Sequence, residues 1–294
     1  MNLTTVDFSR LDQTAERHKL DQACREHGCF ALANHGINTT VQRRFVAAQQ
    51  HYFQQPLAAK LQQERSATNP FGFYNKELTK NQLDRKEVFD ISLSETTLWP
   101  EDVEFQAATS AWFKACHEVG IKLLENIFSC LETTLPVAAF QSHSSFLRLN
   151  YYPAYAAEAG SDPAFGVSHH TDAGALTLLM QDQVPGLQFL LEGGWHTAPA
   201  VPEVLLVNLG DMLQVWSNDT YQAPLHRVLT NANEDRYSAP YFLNPAYHCD
   251  IKPLIGGSPV YRTVNWQEFR SGRAAGDYAD LGEEIQISQY RLRP

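Results

Sequence analysis

Hydrophobic residues recur at helical spacing through the first 131 positions of the chain. The pattern predicts helices from about 12 to 27, 39 to 54 and 102 to 131, with short strands at 5–8 and 29–33. The last helix has the broadest apolar stripe, made of Trp112, Phe113, Cys116, Val119, Leu123, Leu124, Ile127 and Phe128. We therefore expect it to pack lengthwise against a sheet. Residues 84–90 lead into an expected edge strand, and their charges are interpreted as a solvated face.

From about residue 145 the pattern changes to short apolar or alternating segments, separated by Gly, Pro, Asn and Asp. The expected strands are 146–152, 165–172, 175–181, 186–191, 204–209, 225–230 and 236–243. Such a series is typical of a β-sandwich or jelly roll. A terminal helix is expected from Trp266 to Arg273, or as far as Asp280. Because no linker or repeat separates the parts, we expect one α+β, mainly β domain over 1–294, with an N-terminal region at 1–100 and a core at 145–250.

Composition narrows the class of protein. The 294 residues are 44% hydrophobic, which is enough for a sizeable core, and no segment approaches the ~18 continuous apolar residues of a membrane span. A net charge of −10 without a run of Lys or Arg argues against nucleic acid and membrane as partners. The five cysteines are scattered and odd in number, so a disulfide framework is not expected. No signal-peptide pattern is visible at the N-terminus, and we expect a soluble, cytoplasmic protein.

Three residues have the donor types of a metal site. His170 and Asp172 lie at i and i+2 of an expected strand and so share a face, and His226 comes far enough later to return on a neighbouring strand. Two imidazoles and one carboxylate form the facial triad of non-haem Fe(II) oxygenases. Arg236 and Ser238 repeat the spacing and offer a guanidinium fork beside a hydroxyl, which suits a carboxylate. Taken singly, each triad residue also fits a structural role as a core histidine, a turn residue or a strand end.

Longer motifs surround these residues along the chain. They are His170-Thr171-Asp172-Ala173-Gly174-Ala175-Leu176-Thr177-Leu178-Leu179, Val184-Pro185-Gly186-Leu187-Gln188, Val207-Asn208-Leu209-Gly210-Asp211-Met212, Trp216-Ser217-Asn218, His226-Arg227-Val228, Arg236-Tyr237-Ser238, Asn150-Tyr151-Tyr152-Pro153 and Asn34-His35-Gly36-Ile37. With these motifs the chain resembles the isopenicillin N synthase-like family of 2-oxoglutarate/Fe(II)-dependent oxygenases, and the match runs in order along the chain from about residue 5 to about residue 290. The resemblance implies a double-stranded β-helix (jelly-roll) core with a helical N-terminal region and a long supporting helix.

The resemblance also implies residue roles. His170, Asp172 and His226 would bind Fe(II), and the co-substrate 2-oxoglutarate would contact Arg236, Ser238, Asn150 and Tyr152. The charges of Fe(II), Asp172, 2-oxoglutarate and Arg236 then cancel, which avoids the desolvation cost of an unpaired buried ion.

The implied activity is that of an oxidoreductase, a dioxygenase. Dioxygen would oxidise, most simply hydroxylate, a small-molecule metabolite while 2-oxoglutarate is decarboxylated to succinate and CO2. Two alternatives stay open. One is an Fe(II) oxidase of the same family, of the ring-closing or ethylene-forming type, that does not use 2-oxoglutarate. The other is a non-catalytic jelly-roll binding module.

The candidates for a substrate pocket are less specific. Phe73, Leu187, Phe189 and Phe242 are candidates, and core packing is an equal alternative for each of them. Arg148 shares a strand face with Asn150 and Tyr152. We expect Arg148 either to bind a substrate carboxylate or, as the alternative, to form a structural ion pair with an acidic side chain.

Overall fold

The computed structural model describes residues 3–79, 81–155, 165–201, 203–279 and 284–292. Within these ranges there are six α-helices: α1 (Thr14–Glu26), α2 (Thr39–Phe53), α3 (Leu57–Lys60), α4 (Val103–Cys130), α5 (Asp211–Trp216) and α6 (Trp266–Ala275). The strands are β1 (Thr5–Asp7), β2 (Cys29–Ala33), β3 (Phe73–Tyr74), β4 (Leu78–Thr79), β5 (Gln82–Leu83), β6 (Glu87–Ile91), β7 (Phe146–Tyr152), β8 (Phe165–His170), β9 (Leu176–Gln181), β10 (Leu187–Leu191), β11 (Gly194–Thr197), β12 (Leu205–Leu209), β13 (His226–Leu229), β14 (Arg236–Leu243), β15 (Asp250–Ile251) and β16 (Val264–Asn265). Within the same ranges, no helix is both long and apolar enough to cross a membrane.

Two sheets face each other across a cavity. The larger has the order β1-β2-β12-β9-β14-β7-β6-β3 and the smaller the order β11-β10-β13-β8. Side chains from both sheets meet in a shared apolar cluster that includes Leu179 and Leu206 of the larger sheet and Leu187, Phe189 and Val228 of the smaller one. The expected jelly-roll core of an α+β, mainly β protein is thereby confirmed.

The long helix α4 packs against the outer face of the larger sheet, as its apolar stripe predicts. All eight residues of that stripe are buried. The contact is close at Gly120, where an added Cβ would lie 3.3 Å from the Leu243 side chain. Leu243 and Tyr241 of β14 therefore face α4, and because strand residues alternate, Arg236, Ser238 and Phe242 face the opposite side, into the cavity.

Three local expectations differ from the structure. The strand expected at 165–172 ends at His170, so Asp172 lies in the following loop. Neither α5 nor β11 was expected from the pattern, because a helix of six residues and a strand of four span fewer than two turns or two repeats beyond the first, too few to establish a period. The terminal helix ends at Ala275, and Asp280 lies outside the described residues.

The charges of residues 84–90 are not a solvated face, and that interpretation is wrong. Asp84, Lys86 and Asp90 are buried, and they belong to an ion network with Arg65, Glu77 and Arg148. Glu77 accepts from Lys86 at 2.5 Å and from Arg65 at 2.5 Å. Each cation of the network contacts at least one carboxylate, and Asp277 also lies 3.8 Å from Arg65, so that no charge of the network is buried in isolation.

A pair of histidines between α4 and the loop before β7 makes folding stability sensitive to mild acid. The rings of His117 and His143 stack with centroids 4.2 Å apart, and His117 Nδ1 lies 2.8 Å from the Tyr241 hydroxyl. Burial and the neighbouring His117 lower the pKa of His143 to about 4, and burial also lowers the pKa of His117. In the unfolded chain a histidine has a pKa of about 6.5. The unfolded state therefore binds more protons in mild acid, so the stabilisation is complete above pH 6.5 and is lost as the pH falls towards 4.

We expect His143→Phe to reduce the acid sensitivity, because phenylalanine keeps a ring on His117 and cannot take up a proton. Between pH 7.5 and 5.0 the Tm of the wild type should fall about 2 °C further than that of the variant, measured by differential scanning calorimetry. His51→Gln, at an exposed histidine of α2, serves as the control and should follow the wild type. Parallel curves for wild type and His143→Phe would contradict the assignment.

Candidate metal and co-substrate site

His170, Asp172 and His226 converge at the edge of the smaller sheet. His170 and His226 are paired residues of β8 and β13, which places their rings side by side with centroids 4.3 Å apart. Asp172 Oδ1 lies 3.8 Å from His170 Nε2 and 3.6 Å from His226 Nε2. Among the residues with assigned positions, this is the one group of three or more His, Cys, Asp or Glu side chains arranged to hold a metal ion.

The histidines are held in one tautomer by the backbone. His170 Nδ1 lies 2.8 Å from the Ser168 carbonyl oxygen, and His226 Nδ1 lies 3.0 Å from the Pro224 carbonyl oxygen. A carbonyl oxygen only accepts, so both Nδ1 atoms carry the proton and both Nε2 lone pairs point to the shared centre. Burial and the neighbouring His226 lower the pKa of His170 to about 3, so this imidazole is neutral and ready to bind a cation.

Asp172 is oriented by two neighbours in the larger sheet. Its Oδ2 accepts from Thr177 Oγ1 at 2.6 Å and from Asn208 Nδ2 at 3.3 Å, which leaves Oδ1 directed at the histidines. Burial alone would raise the pKa of Asp172, but His226, His170 and these hydrogen bonds hold it below its usual value. Two neutral nitrogen donors and one carboxylate oxygen, with no protein donor hydrogen between them, are a donor set that fits Fe(II).

The loop that carries Asp172 is fastened to the start of α5. The first backbone N–H groups of a helix lack partners within the helix, and here they bind the loop: Asp211 N donates to the Asp172 carbonyl at 2.8 Å and Met212 N to that of Gly174 at 3.0 Å. The contact requires glycine at position 210, where an added Cβ would lie 2.1 Å from the Gly174 carbonyl oxygen. The backbone of the Asn-Leu-Gly-Asp motif, residues 208–211, thus holds the loop of the candidate metal site in place.

Arg236 forms the far end of the cavity. Its guanidinium is fully buried, donating from Nε to the Val184 carbonyl at 3.2 Å and from Nη2 to Gln181 Oε1 at 3.2 Å. Nη1 has no hydrogen-bond partner, and no carboxylate of the described ranges lies within 4.0 Å of the guanidinium. A buried cation without a counter-ion, and with one N–H donor that has no hydrogen-bond partner, is suited to bind the distal carboxylate of 2-oxoglutarate.

The other predicted co-substrate contacts lie beside Arg236. The β7–β14 register pairs Arg236 with Tyr152 and Ser238 with Asn150. The guanidinium lies over the Tyr152 ring at 5.0 Å, and Asn150 Nδ2 donates to Ser238 Oγ at 3.3 Å. All four side chains line the same cavity as the triad.

Arg148 lines the cavity but is already paired. Its Nε donates to Asp90 Oδ1 at 2.7 Å, and its Nη1 donates to Glu77 Oε2 at 3.0 Å. These contacts match the structural alternative for Arg148, a pairing with acidic side chains, because the two carboxylates already balance its charge.

The substrate-pocket candidates divide into two groups. Leu187 and Phe242 line the cavity. Phe73 and Phe189 do not: Phe73 is buried in the main core, and Phe189 is buried beneath the His226 ring with centroids 5.8 Å apart. The alternation of strand residues predicts which face of the sheet each side chain lies on. It does not predict whether the side chain then lines the cavity or packs in the core.

One wall of the cavity was missed from the sequence. Trp266, Arg270 and Arg273 of α6, with Asp277 after it, line the cavity. Their spacing of i, i+4, i+7 and i+11 marks one helical face, which was the available signal. Arg273 contacts the loop that carries Asp172, because its Nη2 donates to the Thr171 carbonyl at 2.7 Å.

Comparisons with known proteins identify the family of the chain. The profile of the 2OG-Fe(II) oxygenase superfamily matches residues 143–245, and that of the N-terminal region of the non-haem dioxygenases in morphine synthesis matches residues 3–114. Gibberellin 2-beta-dioxygenase 8 of Arabidopsis thaliana is 30% identical over 307 residues, covering 99% of this chain and 87% of that protein.

Two solved structures share the fold. JOX2 in complex with 2OG, Fe and JA superimposes with a TM-score of 0.86 at 23% identity, covering 100% of this chain and 90% of that one. The dioxygenase for auxin oxidation of rice gives a TM-score of 0.81 at 23% identity, covering 99% of this chain and 100% of that one. Together with the sequence match over nearly its whole length, these findings show that the chain belongs to the superfamily of 2-oxoglutarate- and Fe(II)-dependent oxygenases.

Proposed function

We propose that His170, Asp172 and His226 hold the iron of this oxygenase, and that 2-oxoglutarate binds between that iron and Arg236. The observation that carries the assignment is the buried Arg236 guanidinium, which has an idle Nη1 and no carboxylate partner among the described residues. Leaving such a charge unpaired is costly, and the second carboxylate of a dicarboxylic co-substrate neutralises it. An oxidase of the same family could fill this place only with an anionic substrate or activator, whereas the matching family is that of 2OG-Fe(II) oxygenases and one relative is named an oxoglutarate-dependent flavonoid 7-O-demethylase.

The residues of the site have distinct tasks in this scheme. When bound, Fe(II) and 2-oxoglutarate activate dioxygen, and the co-substrate leaves as succinate and CO2 while the substrate is oxidised. His170 and His226 supply neutral nitrogen ligands, and Asp172 supplies the anionic one. Arg236 and Ser238 orient the co-substrate, with Asn150 and Tyr152 as its lateral wall.

We infer that the substrate is a small molecule held in the rest of the cavity. The lining of the cavity extends beyond the predicted iron and co-substrate contacts to Leu187, Phe242 and Trp266. Relatives of this size act on small molecules such as gibberellins.

The test is an anaerobic titration of the Fe(II)-loaded protein with 2-oxoglutarate, which follows the weak visible metal-to-ligand charge-transfer absorption of the chelate. We expect Arg236→Ala to raise the 2-oxoglutarate concentration at half-saturation by about 100-fold or more, because a buried carboxylate is left without its charged partner. Arg236→Lys keeps the charge but loses the fork and should fall between the two.

Arg44→Ala is the matched control, since this arginine of α2 is exposed and paired with Glu104. It should titrate like the wild type. Iron binding without the absorption band in wild type would instead favour the oxidase, and absence of iron binding would favour the non-catalytic module.

We also propose that residues 1–294 act as one oxygenase domain in the cytoplasm. Strands β1, β2, β3 and β6 of the N-terminal region are part of the same eight-stranded sheet as the strands of the 145–250 core, which supports a single unit. All five cysteines are free thiols, in keeping with a reducing compartment.

A further inference from the structure

Gln49 of α2 contacts both of the strands that carry the proposed co-substrate residues. Its side chain is buried, and its Nε2 donates to the Ser238 carbonyl at 2.9 Å and to the Asn150 carbonyl at 3.2 Å. A carbonyl oxygen only accepts, so the NH2 end of the Gln49 amide faces the two strands. The N–H groups of one side chain thereby connect β7 and β14, whose bonded residues follow Gln49 by 101 and 189 positions.

The two carbonyls belong to residues that lie opposite each other in the sheet. The β7–β14 register pairs Ser238 with Asn150, and both side chains line the cavity, where Asn150 Nδ2 donates to Ser238 Oγ at 3.3 Å. Gln49 itself is not among the residues that line the cavity. This residue pair is therefore connected twice, through its side chains in the cavity and through its carbonyls by the amide of α2.

Helix α2 packs on the outer face of the sheet at this point. Phe53, one turn after Gln49, stacks on Tyr151 with ring centroids 5.6 Å apart, and its centroid lies 6.4 Å from that of Tyr237. Because strand residues alternate, Tyr151 and Tyr237 face away from the cavity that their neighbours along each strand line. Gln49 and Phe53 therefore support two successive residue pairs of β7 and β14 from the side opposite the cavity.

This support lies beside a break in the pairing of β7 with β14. The paired positions of β14 run as far as Ser238 and resume at Tyr241, so the two residues between them are skipped. The second of these is Pro240, and a proline in an interior strand has no N–H and removes a hydrogen bond from the ladder. The Gln49 amide supplies two donors next to this weakened part of the sheet.

The backbone that Gln49 holds carries all four proposed co-substrate contacts. Besides Asn150 and Ser238, the register pairs Arg236 with Tyr152, two residues further along each strand. The candidate iron ligands lie elsewhere, on β8, on β13 and in the loop after β8. A displacement of about 1 Å in an oriented site can cost about 100-fold in rate even when its cause is far from the reacting atoms. Loosening this strand pair should thus affect the co-substrate and spare the iron.

We propose that Gln49 is a positioning residue for 2-oxoglutarate, which acts through the backbone of Asn150 and Ser238 without contacting the co-substrate. The inference rests on the proposed function of the same site. Without the two Gln49 donors, β7 and β14 stay in the sheet, but the residue pair beside the break is held less closely. The co-substrate then binds more weakly, whereas the affinity for Fe(II) is unchanged.

The experiment compares Fe(II) affinity, the anaerobic 2-oxoglutarate titration and substrate-independent 2-oxoglutarate turnover in wild type and Gln49→Met. Methionine has a similar length and no N–H donor. We expect the 2-oxoglutarate concentration at half-saturation to rise about 10-fold, while Fe(II) affinity and the kcat at saturating 2-oxoglutarate stay within about twofold of wild type. Gln49→Asn keeps an amide that is one methylene shorter and should lie between the two.

Phe45→Leu is the matched control, because Phe45 is buried one turn before Gln49 but stacks on Trp112 of α4, with centroids 5.1 Å apart. It should lower Tm and leave the 2-oxoglutarate titration unchanged. An unchanged titration in Gln49→Met, an equal loss of Fe(II) affinity, or the same rise in Phe45→Leu would each overturn the proposal. If Gln49→Met does not fold, the same outcomes are read from Gln49→Asn.

The wild type separates the role of Gln49 from the proposed function. Absence of the charge-transfer absorption in the Fe(II)-loaded wild type would count against 2-oxoglutarate binding at this site. If the absorption is present and saturates at the same 2-oxoglutarate concentration in wild type and Gln49→Met, the proposed function stands and the positioning role of Gln49 is refuted.

Discussion

Asp172→Asn is expected to abolish turnover, lowering succinate formation by about 1000-fold or more. Asparagine keeps the shape of the side chain and can still accept from Thr177, so the loop should stay in place. The atom directed at the histidines then becomes either an amide nitrogen without a lone pair or a neutral oxygen. Losing the one anionic ligand should cost more than the 10–100-fold in metal affinity that is typical when a supporting residue outside the ligand set is changed.

The measurement is Fe(II) binding by anaerobic calorimetry, together with the rise in Tm that iron produces. Because a ligand that binds only the folded state raises Tm, the iron-dependent rise should be present in the wild type and absent from Asp172→Asn. Thr177→Val should give an intermediate result, with affinity reduced about 10–100-fold, since it keeps the carboxylate and removes one of the two hydrogen bonds that orient it.

Asp250→Asn, at an exposed aspartate of β15, is the control and should bind iron and turn over like the wild type. Wild-type iron affinity in Asp172→Asn would remove the carboxylate from the ligand set. The Tm of the iron-free proteins shows whether a loss of activity comes from the site or from the fold, because Asp172→Asn leaves the iron-free Tm unchanged if only the ligand is lost.

The alternation of strand residues predicted much of the site. Arg236 and Ser238 share a face with each other and with Phe242, and Asn150 shares one with Tyr152, all as expected. The triad converges although Asp172 is not in a strand, because the N–H groups of α5 hold its loop. Spacing could not show this, since the contact joins segments that are distant along the chain. The roles of these residues stay predictions until the variants are measured.

Long-range pairing accounts for what the sequence did not reveal. Arg148 meets Asp90 and Glu77 from distant positions, and no local period brings them together. The same holds for Arg270, whose partner Phe146 lies on another element. From the sequence alone, a charged residue is expected to be exposed to solvent. The pairing of Asp90 with Arg148 in the β6–β7 register shows instead that these two charges are buried together.

The buried ion network leads to the largest expected effect on stability. Glu77 accepts from three cations, Arg65, Lys86 and Arg148, and is nearly inaccessible to solvent. Burial alone would raise its pKa, but these cations hold the pKa well below the usual range. Glu77→Gln keeps the shape but removes the carboxylate that contacts all three cations, leaving Asp84 beside Lys86, Asp90 beside the two arginines and Asp277 at 3.8 Å from Arg65. Breaking a buried pair in this way costs about 3–5 kcal/mol.

We expect that loss in the free energy of unfolding from urea titration at pH 7.5. The second variant, Glu77→Gln with Arg148→Met, also removes a cation that has lost a partner and should recover part of the loss, because Lys86 still pairs with Asp84 and Arg65 with Asp90. Glu104→Gln, which breaks the exposed pair with Arg44, should change stability by less than about 1 kcal/mol.

The difference between wild type and Glu77→Gln should also depend on pH in a definite direction. The pKa of Glu77 is lowered on folding, so its stabilisation is present above the unfolded value of about 4.3 and is lost as the pH falls through the lower folded value. The two proteins should therefore converge in strong acid and differ most near neutrality. A constant difference across pH would mean that glutamine disturbs packing rather than charge. A loss below about 1 kcal/mol would show that water reaches the network and screens it.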